Sequence, residues 1–109
     1  MGIKVRPIVD GTEAVGWLVW CPACDHPHQF SAKMPNGSPG WTFNGDRERP
    51  TFNPSLRARW NEGEGPKKVE KCCHANLIAG VWRYAADSTH AFKGQHVPAP
   101  DWPRPDWRS

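Results

Sequence analysis

The sequence predicts a mainly β fold: a small domain of two β-hairpins joined by long Pro- and Gly-rich loops. Three observations lead there. Two β-rich runs, IKVRPIV (residues 3–9) and VGWLVW (15–20), flank the strong turn signal Asp10-Gly11. A second run, VEKCCHANLIAGVWRYAA (69–86), is symmetrical about Ala79-Gly80. Ten glycines and twelve prolines in 109 residues make about a fifth of the chain, against roughly an eighth ordinarily. Much of the backbone is therefore turn or irregular, and the core is small for the length.

The elements follow in order. Pro7 has to sit at a strand edge or bulge, because it cannot donate to a ladder. The second strand runs directly into Cys-Pro-Ala-Cys (21–24), which suits a tight knuckle at a strand end. HQFSAK (28–33) reads as a short strand. The following loop (35–50) is tied down by Trp41 and Phe43. PTFNPSLRARW (50–60) reads as extended chain, since two prolines discourage a helix start. NEGEGPKK (61–68) reads as a flexible exposed loop. In the last hairpin Ile78 faces Val81, Leu77 faces Trp82 and Ala75 faces Tyr84. Alternation then puts Cys73, Ala75, Leu77, Trp82 and Tyr84 on one face, the core face, and His74 on the other. We divide the chain into a body, residues 1–97, and a Pro/Trp-rich tail, 98–109.

Composition excludes several classes. The net charge of +3 is mild and the basic residues are interspersed with acidic ones, unlike a committed nucleic-acid binder. Lys4, Arg6 and Asp10 break up any signal-peptide pattern at the N-terminus, and no run is long enough to span a membrane. The expectation is a protein of the cytoplasm of a bacterial host cell, with no membrane partner. Seven tryptophans can fill a sparse core, or some can form a stacking surface.

Cys21 and Cys24 are spaced so that both sulfurs converge on one ion, and a second ligand region lies about fifty residues on, at Cys72-Cys73-His74. Zinc takes four such ligands in tetrahedral geometry. Cys72 and Cys73 alternate faces, and Cys73, on the core face, is the third ligand. The fourth is open among His74, His90 and His28. A thioredoxin-like redox site is disfavoured, because Pro27 and the absence of helical periodicity remove the helix that would activate the thiol. A catalytic zinc would need an open position with Asp87, His90 or His28 beside it, and the H-E-x-x-H pattern is missing.

CPACDHPHQF, WTFNGDRERPTFNPSL, CHANLIAG and DSTHAFKGQHVPAP, in that order, resemble a small zinc-binding family frequent in tailed phages and prophages. Its members show C-P-x-C followed by histidine, W-T-F-N-G-like runs, P-T-F-x-P-S, C-H before a hairpin, and D-C-T-H. The resemblance covers most of residues 20–102. It implies a bound zinc and metal-site residues at Cys21, Cys24, His28, Cys73, His74, Asp87 and His90. Ser88 stands where many relatives carry cysteine and is a poor zinc ligand. Larger relatives occur beside bacterial ubiquitin-like conjugation genes, which implies an adaptor or processing role.

The reading at this stage is a domain resembling a zinc ribbon, with Cys21, Cys24, Cys73 and His74 as ligands and His28, Asp87 and His90 as alternatives or outer partners. The leading expectation is a binding or adaptor module for a host or phage protein, using tryptophans and the PDWPRPDW tail. A zinc-dependent hydrolase using Asp87, His90 or His28 is the second. Single-stranded nucleic-acid binding through Arg57, Arg59 and Trp60 is the third.

Overall fold

A computed structural model describes residues 2–34 and 36–102 of the chain. The first hairpin pairs β1 (Val5–Asp10) with β2 (Glu13–Cys21) across the expected turn at Gly11, and β3 (His26–Ser31) adds a third antiparallel strand. The second sheet contains β4 (Thr42–Phe43), β5 (Phe52–Glu62), β6 (Val69–Ile78), β7 (Val81–Tyr84) and β8 (His96–Pro98), in chain order and antiparallel throughout. The β6–β7 pairing has the anticipated register, Ile78 with Val81, Leu77 with Trp82 and Ala75 with Tyr84. Ala79 and Gly80 both take positive φ, 49° and 80°, which a two-residue hairpin turn of this hand requires. No helix among the described residues is long and apolar enough to cross a membrane.

The fold is mainly β, and each expected hairpin is enlarged into a sheet. The segment 52–62, left without a strand partner by the sequence, pairs with β6 along its length. NEGEGPKK is correspondingly not a free loop. β5 extends to Glu62, and a 3-10 turn at Gly65–Lys67 carries the chain into β6.

The sheets are joined through their aromatic inner faces. Phe30 of β3 stacks on Phe52 of β5 at 4.2 Å between ring centroids, and Phe43 stacks on Phe52 at 4.8 Å. Val5, Val19, Phe30, Phe52, Leu77 and Trp82 are nearly inaccessible to solvent. Trp82 also donates its indole N–H to the Trp20 carbonyl at 2.8 Å, pinning β7 to the first sheet. Gly40 is needed where the backbone crosses Ser31, because a Cβ there would meet the Ser31 carbonyl oxygen at 2.1 Å. Of the tryptophans, Trp82 is buried and Trp17, Trp20, Trp41, Trp60 and Trp102 are half-buried. The tail begins docked: Ala99 is buried, its N–H bonds the Gly80 carbonyl, and Trp102 donates its backbone N–H to Ile3. Residues 103–109, including Trp107, lie outside the described residues.

Candidate active site and metal centre

β6 separates two clusters. On its inner side, Cys21 from the end of β2, Cys24 from the knuckle, His28 from β3 and Cys73 from β6 offer ligand atoms that all lie within 4.8 Å of one another. The knuckle closes because Asp25 takes a positive φ of 57° and donates its N–H to the Cys21 carbonyl. Two sulfurs on one tetrahedral zinc sit about 3.8 Å apart, so this group is the right size for a single ion. His28 Nε2 is buried without a hydrogen-bond partner, as a ligand nitrogen would be before it receives its ion. The thiols show the same demand. Cys21 is held strongly below its ordinary pKa, chiefly by hydrogen bonds from Cys24 and Cys73 and further by His28 and Tyr84. Cys24 is pushed up to about 12, first by its hydrogen bond with Cys21, and Cys73 is also driven up by its hydrogen bonds with Cys21 and Cys24. One thiolate with two protonated neighbours is what three crowded thiols settle for without a cation; a divalent ion lets all three ionise. Tyr84 contacts Cys21 Sγ at 3.1 Å, and burial together with Cys21 keeps its phenol protonated.

The group that could hold an ion contains His28, where His74 is the expected fourth ligand. The reason is alternation: Cys73 faces inward on β6, so its neighbour His74 faces outward. Asp87 is outside the group too, and so is Cys72. His90 lies nearby, edge-on to Tyr84 at 4.7 Å, but is not among the four. Its Nδ1 accepts the Phe92 N–H, so Nε2 carries the proton, and burial lowers its pKa. A cleft of about 280 Å³ opens beside Cys24 and His90. Three thiols and an imidazole have the number and type of donors of a tetrahedral zinc set.

The outer side of β6 carries a different chemistry. His74 Nδ1 lies 2.9 Å from Asp87 Oδ1 and 3.2 Å from Oδ2, and its Nε2 lies 3.2 Å from Ser55 Oγ. With Nδ1–H donated to the carboxylate, Nε2 keeps its lone pair and accepts the serine hydroxyl. Sequence reasoning missed Ser55 altogether and gave His74 and Asp87 to a metal.

Local structure explains how each group arrives. Phe52 pairs with Leu77 and Leu56 with Ala75, so three residues of β5, Asn53, Pro54 and Ser55, lie opposite the single Asn76 of β6. The resulting bulge at Asn53-Pro54-Ser55 turns the serine toward the histidine, a use to which bulges beside active sites are often put. Asp87 is placed by a zipper of backbone bonds. Ser88 Oγ accepts the His74 N–H and donates to the His74 carbonyl, both at 3.0 Å. Thr89 exchanges bonds with the backbone of Cys72 through its N–H and its hydroxyl. Ser88 is thus a buried strap. Arg57, two residues after Ser55, donates to Asp87 Oδ2 at 3.2 Å. The Asp87 carboxyl is held below the usual carboxylate range, first by its hydrogen bond with His74 and then by the charges of His74 and Arg57.

Two shallow clefts flank the serine. One, of about 260 Å³, is lined by Ser55, His74, Ala75, Asn76, Arg83 and Ala85. The other, of about 230 Å³, is apolar and lined by Met34, Pro39, Gly40, Trp41 and Pro54, the residue before the serine.

A serine hydroxyl, an imidazole and a carboxylate in series, with clefts on either side, have the arrangement of a serine-hydrolase triad, here on an all-β scaffold. A family model described as "BubE: Bacterial ubiquitination-like system serine protease" matches residues 4–85, about three-quarters of the chain, and the chain belongs to this family. The match takes in all four metal-group residues together with Ser55 and His74, and ends two residues before Asp87. The description is of a bacterial system; the phage and prophage association expected from the motifs has no counterpart in it. Neither a curated protein nor a solved structure matches the chain.

Proposed function

We propose that this protein is a serine peptidase of a bacterial ubiquitination-like system, with Ser55 as nucleophile, His74 as general base and Asp87 as the group that orients and electrostatically supports the base. The observation that carries the proposal is the hydrogen-bond series Ser55 Oγ–His74 Nε2 and His74 Nδ1–Asp87 Oδ1, at 3.2 and 2.9 Å. An adaptor needs only a surface and gives no reason for that alignment. Ser55 Oγ attacks the substrate carbonyl while its proton passes to Nε2. Asp87 stabilises the imidazolium, and the same proton then leaves with the departing group. Water hydrolyses the acyl-serine with His74 again as base. The chain order Ser, His, Asp differs from the orders of the chymotrypsin, subtilisin and α/β-hydrolase triads, which share geometry and not sequence order.

The Cys21–Cys24–His28–Cys73 group would hold zinc in a structural role. When bound, the ion supplies a cross-link between the β2–β3 knuckle and β6. The triad residues lie on the other face of β6 and carry out the bond-breaking chemistry themselves.

The test is covalent labelling with a fluorophosphonate, a probe of activated serines. We expect a single adduct mapped to Ser55 by peptide mass spectrometry, and none in Ser55→Ala. A folded wild-type protein that stays unlabelled would overturn the reading.

A further inference from the structure

We infer that Arg83 is a specificity determinant of this site and recognises a carboxylate on the substrate, close to the bond that Ser55 attacks. The inference rests on the triad reading for its place in the reaction, but its physical claim, a carboxylate-binding cleft, stands or falls separately.

The argument begins with register. Leu56 pairs with Ala75, and Ala75 with Tyr84, all on the buried face. One step along, Asn76 pairs with Arg83 and Arg83 with His96, and all three are exposed on the face that carries His74. Arg83 and Asn76 line the same cleft as Ser55 and His74, and no acidic side chain lines it. Adjacent strands are about 4.8 Å apart, so Arg83, two strands from β5, has its backbone about 10 Å from that of Ser55. An extended peptide advances about 3.3 Å per residue. A side chain two or three residues from the scissile bond therefore comes within reach of the guanidinium.

The two arginines near the triad differ in commitment. Arg57 is engaged by Asp87. Arg83 has no intramolecular hydrogen bond or ion pair among the described residues, and neither has the Asn76 side chain. A guanidinium offers a planar, permanently charged fork matched to a carboxylate. Asn76, one strand nearer the serine, is a neutral donor and cannot discriminate by charge. His96, across from Arg83 on the far side, adds no negative charge. The cleft therefore favours an acidic residue, or a free C-terminal carboxylate, over its neutral isostere.

The experiment measures binding to the metal-loaded Ser55→Ala protein, so that cleavage does not intervene. Fluorescein-labelled octapeptides carry one Glu, or Gln in its place, at each position in turn, with a parallel set differing in a free or amidated C-terminus. We expect at least one Glu/Gln or acid/amide pair to differ about ten-fold in Kd, in line with a hydrogen bond to a charged group. Adding Arg83→Ala should abolish that difference, and adding Arg83→Glu should invert it in favour of Lys. Arg59→Ala, on the same face but outside the cleft, should retain it. No acidic preference, or a preference that survives Arg83→Ala in a protein of unchanged melting profile, would overturn the inference. Failure of the triad reading registers separately, as absent fluorophosphonate labelling of Ser55, and leaves the binding result valid by itself.

Discussion

Cys73 and His74 are adjacent on one strand and differ in nearly everything that matters chemically. Cys73 is fully buried, one of four converging ligand atoms, and held among groups that push its pKa up. His74 is partly open to solvent and bonded to Asp87, whose carboxylate is half exposed. The inner face is a closed site whose occupant would be an ion; the outer face is an open site whose occupant would be a substrate. A two-residue period lets one strand serve both, and couples them: whatever fixes Cys73 also fixes the backbone of His74.

The sharpest test of this division is to change the neighbours one at a time. His74→Ala should lower kcat by about a million-fold, the scale seen when a triad member is removed from a serine protease. Metal content and melting temperature should stay near wild type. If His74→Ala instead loses metal, the separation of the two faces is wrong and the histidine belongs to the ion.

Changing Cys73 should do the reverse. Zinc binding contributes on the order of 10–16 kcal/mol in zinc-finger peptides, which matches or exceeds the roughly 5–15 kcal/mol net stability of an ordinary domain. Cys73→Ser, or exhaustive chelation of the wild type, should therefore remove the cooperative melt, and activity should disappear with it. Calorimetry beside elemental analysis reads both. A chelated protein that melts cooperatively and hydrolyses at the wild-type rate would uncouple the faces.

A smaller effect separates Arg57 from the triad proper. In an exposed site burial cannot hold the carboxylate, so an ion pair does part of that work. Arg57→Ala should lower kcat/KM by about ten-fold, with little change in melting temperature, because an exposed ion pair contributes little to stability. High salt should bring wild type toward the variant, because the screening length falls to about 3 Å at 1 M. Equal salt sensitivity in both proteins would remove Arg57 from the positioning role.

The same contrast explains what was legible in the sequence. The buried face announces itself: C-x-x-C has a known reason for its spacing, and Cys73, Ala75, Leu77, Trp82 and Tyr84 alternate cleanly around an Ala-Gly turn. The open face has no such signature. Ser55, His74 and Asp87 are separated by 19 and 13 residues and converge only because β5 is bulged and paired with β6. Neither a G-x-S-x-G elbow nor a helix marks the serine. The signal that could have found it is the set of quoted motifs, P-T-F-x-P-S, C-H and D-x-T-H, each of which carries one triad residue. The motif resemblance puts His74 in the metal site beside Cys73, whereas strand alternation, which holds Cys73 on the inner face, sends His74 to the outer one. His28 is one of three open candidates by its closeness to the knuckle, and the turn back into β3 buries its ring among the three cysteines.

The smallest expected effect concerns pH. The Asp87 carboxyl is held below its ordinary value of 3.8, most of all by His74. A depressed carboxylate pKa contributes stability that is fully present above the unfolded value and is lost as pH falls through the folded one. From about pH 5 to pH 7 this carboxyl is therefore ionised in both states and adds no slope. Measured in a His74→Ala background, where no imidazole at the site can titrate, the stability difference between metal-loaded Asp87 and Asp87→Asn proteins should be flat over that window, by urea melts at several pH values. Any acid limb in the rate within it then belongs to another group in the site. A difference that grows with pH there would mean that the carboxyl titrates well above 3.8. Burial would then dominate the environment of Asp87, and the outer site would be less open than its exposure indicates.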